Sequence, residues 1–330
     1  MVLNQPPLGE ATDLRATVPE QLRGQRLDLV ASRLFEDFSR VRLRGWIEDG
    51  RLCVNGEVCN RSRRVVSAGD FLLLRVESGE NGGPADTAAQ AQAIALNVVH
   101  ADADIAVIHK PAGLTVHPGA GQADGTLQNA LLHHFPQTRA VPRAGIVHRL
   151  DKDTSGLLVV ALSLPAHTHL VPMIAAHAVE REYDAIVSGD IVAGATVDAA
   201  IGRHPRDRLK MAVTERGRRA VTHYRVQEKF PFHTHLRVQL ETGRTHQIRV
   251  HLSHIRHPIV GDALYGGRLA RGKGLSEQLR QQLLKFPRQA LHARRLSFDH
   301  PVSKQPLSFT AEMPDDMNAL LQLLRSEMPV

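Results

Sequence analysis

Cysteine is scarce in this 330-residue chain: there are two, Cys53 and Cys59. Two thiols cannot staple a domain of this size, which excludes a small secreted disulfide scaffold. Both read as ordinary small apolar residues. No apolar run approaches the roughly 20 residues of a membrane span, so no membrane partner is expected. Residues 1–14 lack the charged segment followed by an apolar one that marks a signal peptide, and a cytoplasmic location is expected. Acid is short relative to base: 41 Lys and Arg stand against 34 Asp and Glu, a formal net charge of +7. That sign points to an anionic partner, most simply nucleic acid. The basic residues cluster, with Arg203, Arg206, Arg208 and Lys210 followed by Arg216, Arg218, Arg219 and Arg225. Such a stripe can neutralise phosphates.

What is present suits a folded chain, since 42% of residues are hydrophobic. Residues 1–15 are polar and read as a flexible tail. A compact unit follows over 16–77. The spacing of Leu27, Val30, Ala31 and Leu34 predicts a helix. Ser39 is the expected N-cap of a second, through Val41, Leu43, Trp46 and Ile47. Asn55-Gly56 predicts a hairpin turn within 52–58, and 71–76 a last strand. Residues 78–94 are Gly-rich and read as a linker. From 95 to 330, short apolar strands (95–99, 105–108, 183–187, 221–226, 236–240) alternate with loops and two helical candidates, 127–132 and 164–179. This is an α+β pattern around a mixed, mostly antiparallel sheet.

The densest chemistry lies at 148–155. Two apolar runs, 145–147 and 157–161, read as buried strands. Between them stand His148, Arg149, Asp151, Lys152, Asp153, Thr154 and Ser155. Arg149, a permanent cation, can hold a neighbouring carboxylate ionised. An ionised, oriented Asp151 is a candidate nucleophile or base. The same residues are also good turn formers, and composition alone leaves the two readings level.

His148-Arg149-Leu150-Asp151 followed by Thr154-Ser155-Gly156-Leu157 resembles the signature of the pseudouridine synthases of the large-subunit ribosomal A and D type. Other blocks of that family are matched in order. They are Lys110-Pro111-Ala112-Gly113-Leu114, Arg181-Glu182-Tyr183-Asp184-Ala185, Leu240 through His251, Gly261-Asp262 with Tyr265-Gly266-Gly267, and Arg288-Gln289-Ala290-Leu291-His292-Ala293. The helix-helix-hairpin order of 16–77, with Arg40, Arg42 and Arg44, resembles the small RNA-binding domain of ribosomal protein S-four.

The resemblance implies a pseudouridine synthase fold with a cleft across the sheet. It implies isomerisation of uridines in 23S rRNA or the large ribosomal subunit, in the stem-loop called helix 69. Asp151 would be the catalytic aspartate, with Asp153 left to the turn. Tyr183, which alone would read as a core residue, would stack on the uracil. Arg244 would pair with Asp151 and keep it ionised. Ile248 and Leu291 would form the apolar floor under the base. Arg149 would fill the place of the flipped base, with His148 contacting RNA beside it. Nothing is oxidised, so no cofactor is expected, and nothing suggests other than a monomer. His246, His251, His254 and His257, after His233 and His235, invite a metal reading. They lack a cysteine or a regularly spaced acid, and 245–251 reads as RNA-facing polar surface; no metal is expected. The rival is a non-catalytic RNA-binding assembly factor on the same scaffold.

Overall fold

The computed structural model describes residues 12–35, 38, 40–76, 89–119, 122–207, 209–266 and 275–328. The expected tail up to residue 11, the Ser39 cap, linker residues 78–88, Arg208 and Gly267 lie outside the described residues, as do the side chains of Arg40 and Arg42. Contacts divide the chain into two compact units, Met1–Ala89 with Arg139–Ala144, and Gln90–Thr138 with Gly145–Val330.

The first unit holds β1 (Thr12–Thr17), α1 (Leu27–Leu34), α2 (Arg40–Glu48), β2 (Leu52–Val54), β3 (Glu57–Val58) and β4 (Phe71–Val76). Its four strands form an antiparallel sheet in the order β1-β4-β2-β3. Residues 12–15, expected in the tail, are therefore strand. They pair with β4, whose backbone they satisfy. The predicted faces of both helices are buried: Leu27, Val30, Ala31, Leu43, Trp46 and Ile47 form one core with Leu52, Leu72 and Leu74. Asn55 and Gly56 both take positive φ, 54° and 86°, as a two-residue hairpin turn requires.

The second unit begins with β5 (Asn97–Ala101), β6 (Ile105–Lys110), α3 (Leu127–His134), β7 (Ser155–Ala161), α4 (Leu164–Ala175) and β8 (Glu180–Ser188). It continues with β9 (Ala195–Asp198), β10 (Ile201–Arg203), β11 (Met211–Val213), β12 (Val221–Lys229), β13 (His233–Leu240) and α5 (Gln247–His254). It ends with α6 (Glu277–Lys285), β14 (Leu291–Asp299), β15 (Pro306–Thr310) and α7 (Asp315–Ser326). A nine-stranded sheet runs β5-β6-β7-β14-β8-β13-β12-β9, with β15 on β14. Every pairing in it is antiparallel except β7 with β14. β7 is buried at all its positions, which accounts for its unbroken apolar run. Residues of α5, α6 and α7 join β8 and β13 in the main core through Leu252, Leu279, Leu321, Ala185 and Leu236. Among the described residues no helix is long and apolar enough to cross a membrane.

Two further expectations are corrected here. Residues 145–147 are not a strand: Ile146 makes an isolated bridge to Val160 rather than joining a ladder. Arg143, Ala144 and Gly145 all hold positive φ, which breaks an extended run. Residues 90–94, expected as linker, are tied to α3: Gln92 N–H donates to the Asn129 carbonyl at 3.0 Å, and Asn129 Nδ2 to the Gln90 carbonyl at 2.8 Å.

Candidate active site

The loop 148–154 feeds β7 beside residues 288–290, which feed β14. The two strands approach so closely at Gly156 that a side chain there would strike the Ala293 backbone. Its φ of 116° also favours glycine. The loop is braced from three directions. Lys110, fully buried at the end of β6, donates through Nζ to the carbonyls of Pro111, Leu114 and Lys152 at 2.8, 3.0 and 2.9 Å. Burial pulls its pKa down to about 7, against the pull of Asp153 and Asp151. Gln289 Nε2 donates to Thr154 Oγ1 at 3.1 Å. Arg288 Nη1 reaches the Asp153 carbonyl at 3.3 Å, while its other nitrogens form a two-point pair with Asp316 of α7 at 2.7 and 2.8 Å.

This bracing presents Asp151 to a cleft. Arg249 Nη1 donates to Asp151 Oδ2 at 2.9 Å, and its Nε and Nη2 donate to Asp262 at 2.6 and 2.9 Å. Burial alone would lower the pKa of Arg249; the hydrogen bonds and charges of Asp262 and Asp151 outweigh it and raise it. Asp262 Oδ1 also accepts the N–H groups of Leu264 and Tyr265. His246 Nε2 stands 3.9 Å from Asp151 Oδ1. Asp151 borders a small cavity of about 50 Å³ walled also by Tyr183, Leu240, Arg244, Ile248 and Leu291. It also borders a cavity of about 290 Å³ lined by Thr115, Lys152, Arg288 and Gln289, among others. Arg149, Leu150, His246 and Arg249 border both. Tyr183 is buried, and burial raises its pKa, so its phenol is neutral at neutral pH.

The sequence expectations fare unevenly. Asp151, Tyr183, Ile248 and Leu291 come together as expected. Arg244 lines the same cavity without pairing with Asp151: its Nε donates to the Arg219 carbonyl at 3.0 Å, and Arg249 makes the pair instead. His148 is turned inward, where Nε2 accepts the Val159 N–H at 3.0 Å and burial drives its pKa to about 3. It is therefore neutral, and it stays partly exposed beside Arg149. Arg149 is exposed at the rim. Arg203 and Arg206 are exposed on the β10–β11 hairpin, and Lys210 lies 3.9 Å from Asp207. Arg44 is exposed and pairs with Glu48 at 2.8 Å.

Residues 245–251, expected as polar surface, are mostly internal. Gln247, Arg249 and His251 are buried in α5 because each finds partners there. Both ring nitrogens of His251 are committed, to Thr222 Oγ1 and to the Ala199 carbonyl, each at 2.9 Å, which leaves no ligand atom for a metal. Among the described residues the grouping with metal-ligand spacing is Asp102, Asp104 and His300. There His300 Nδ1 accepts the N–H groups of Val302 and Ser303, so Nε2 carries the proton and donates to Asp102. Sequence reasoning gave no role to Arg249, Asp262 and Tyr265, although all three fall in the quoted blocks. The three-residue spacing of His246 and Arg249 did not set Arg249 above Arg244, because His246 stands outside α5 at a left-handed backbone position.

Residues 104–254 match the RNA pseudouridylate synthase family, and residues 25–72 match the S4 domain. The fold is thus that of an RNA-modifying isomerase joined to an S4 domain. Ribosomal large subunit pseudouridine synthase D of Pseudomonas aeruginosa is 55% identical to this chain, over 94% of it and 96% of its own length. The protein of that name in Escherichia coli (strain K12) is 48% identical over 97% of each. The structure of human RNA Pseudouridylate Synthase Domain Containing 4 aligns with a TM-score of 0.54 and 27% identity, covering 69% of this chain and 93% of its own. The chain belongs to the pseudouridine synthases, in the group of ribosomal large subunit pseudouridine synthase D.

Proposed function

We propose that this enzyme converts uridines of 23S rRNA, in the helix 69 stem-loop, to pseudouridine, with Asp151 as the carboxylate that acts on the ribose. The observation that carries the reading is the state of Asp151: Oδ2 is held by Arg249, and the residue lines a cavity walled by Tyr183, Ile248 and Leu291. In the reaction the bond from ribose C1′ to uracil N1 breaks, the base turns, and C5 bonds to C1′. The C5 proton leaves and N1 gains one, so no oxidant or reductant is consumed. A carboxylate fixed by a guanidinium suits the ribose step. Tyr183 would stack on the free base, with Ile248 and Leu291 as its floor. Arg149, exposed at the mouth, would occupy the place of the flipped base, which costs a few kcal/mol to extrude. Arg203, Arg206, Arg208 and Lys210, with Arg40, Arg42 and Arg44 of the S4 domain, would meet phosphates. The identity to enzymes named for the ribosomal large subunit supports that RNA as substrate. The enzyme would work as a monomer in the cytoplasm.

The test is tritium release from large-subunit rRNA labelled at uracil C5. The intact protein is expected to release tritium with chelator present, and Asp151→Asn to release none while still binding RNA. Binding without release by the intact protein would favour a non-catalytic assembly factor.

A further inference from the structure

We propose that His246 and Tyr265 are working parts of this site: Tyr265 fixes the His246 ring so that its Nε2–H attends Asp151 Oδ1 and steers that oxygen onto the ribose. The inference rests on the reading of Asp151 given above.

The two oxygens of Asp151 are not equivalent. Oδ2 accepts from Arg249 at 2.9 Å. Oδ1 has no hydrogen bond among the described residues, and its neighbour is His246 Nε2 at 3.9 Å. The oxygen left free to react is therefore the one that faces the histidine.

The tautomer of that histidine follows from its far side. Tyr265 Oη accepts the Met211 N–H at 2.9 Å and lies 2.8 Å from His246 Nδ1, and the arrangement that also turns an N–H toward the Asp151 carboxylate is the one in which the phenol donates to Nδ1. A neutral imidazole that accepts at Nδ1 carries its proton on Nε2. The nitrogen turned toward Asp151 is thus a donor. The ring is held edge-on to Tyr265, centroids 5.7 Å apart and planes at 77°. The His246 backbone sits at φ 56°, a conformation that costs free energy in a non-glycine residue and is kept where surroundings enforce it. Tyr265 touches the other partner of Asp151 too, since the Arg249 guanidinium lies 5.1 Å over its ring.

At 3.9 Å the N–H does not yet bond Oδ1; a movement of about 1 Å closes it. A donor on one lone pair leaves the other to meet the ribose, and positioning of this kind governs rate more than binding. Protonation of His246 would set two donors, Nδ1–H and Tyr265 O–H, against each other. The groups that face the ring are Asp151, Asp262, Arg249, Arg149 and Tyr265. The two carboxylates favour the cation, while burial and the two arginines oppose it and prevail.

The experiment is single-turnover tritium release across pH, with RNA binding measured separately, for the intact enzyme, His246→Ala, His246→Gln and Tyr265→Phe. His246→Ala is expected to slow release about tenfold or more at unchanged RNA affinity, and His246→Gln, which restores an N–H donor, to recover much of it. Tyr265→Phe keeps the ring under Arg249 and removes only the hydroxyl. It should raise the pH at which activity fails on the acid side, because protonation then meets no opposing donor. If His246→Ala does not fold, the glutamine and phenylalanine variants decide alone. Rates like the intact enzyme's for His246→Ala, glutamine no faster than alanine, or an unmoved acid limb in Tyr265→Phe would overturn the proposal. Undiminished release by Asp151→Asn would instead sink the reading of Asp151 itself.

Discussion

The two arginines near the carboxylate divide the work differently from their order in the sequence. Arg249 bridges two acids, and its side chain is 7% exposed. Arg249→Ala would leave Asp262 buried without a cation, a loss of about 3–5 kcal/mol for a broken internal pair. Arg244 is partly exposed and bonds a carbonyl, so Arg244→Ala should cost less than about 1 kcal/mol of stability. Urea unfolding should separate the two. In tritium release, Arg249→Lys should be nearly silent, since an ammonium cannot serve Asp151 and Asp262 together; Arg244→Lys should retain activity. The sequence could not rank these residues. Arg244 follows Thr242-Gly243 at a strand end, an attractive place for a ligand contact, whereas Arg249 looks like one polar residue of an amphipathic helix. Which arginine faces Asp151 depends on how α5 turns after His246, and that turn is set by a left-handed backbone that side-chain patterns do not announce. The bond made by His148 is hidden for a related reason: its partner, the Val159 N–H, is supplied by the fold.

Among elements, the legible ones carried local signals. The Asn55-Gly56 turn, the apolar face of α1 and the run of β7 each express a period or a turn chemistry within a few residues. The run 145–147 is too short to carry a period, and the positive φ values at Arg143, Ala144 and Gly145, which bend the chain just before Ile146, are invisible in composition. The C-terminal helix shows a further class of dependence. α7 contributes Asp316, whose two-point bond to Arg288 holds the guanidinium that reaches the Asp153 carbonyl. Asp316→Ala should therefore cost about 2 kcal/mol in thermal or urea unfolding. It should also slow tritium release, although no atom of α7 lines the cleft. Activity equal to the intact enzyme's would show that the loop holds its shape without the helix.

For the whole molecule, the +7 charge was legible at once, and so was the α+β class. The nine-stranded order was not, because β7 pairs with β14 across more than a hundred residues and only the finished fold brings them side by side. The basic groups predict how the enzyme meets RNA. Affinity for large-subunit rRNA should fall linearly with the logarithm of salt concentration, with a slope of about −0.7 to −0.9 per phosphate neutralised. Replacing Arg203 and Arg206 together by Ala should flatten that slope by one to two phosphates and leave release at saturating RNA unchanged; an unaltered slope would remove the hairpin from the interface. The Arg288–Asp316 clamp also bears on the order in which the protein is built: residues 151–154 are synthesised before Arg288 and Asp316, so the loop that carries Asp151 acquires this brace only once α7 has been made and has docked.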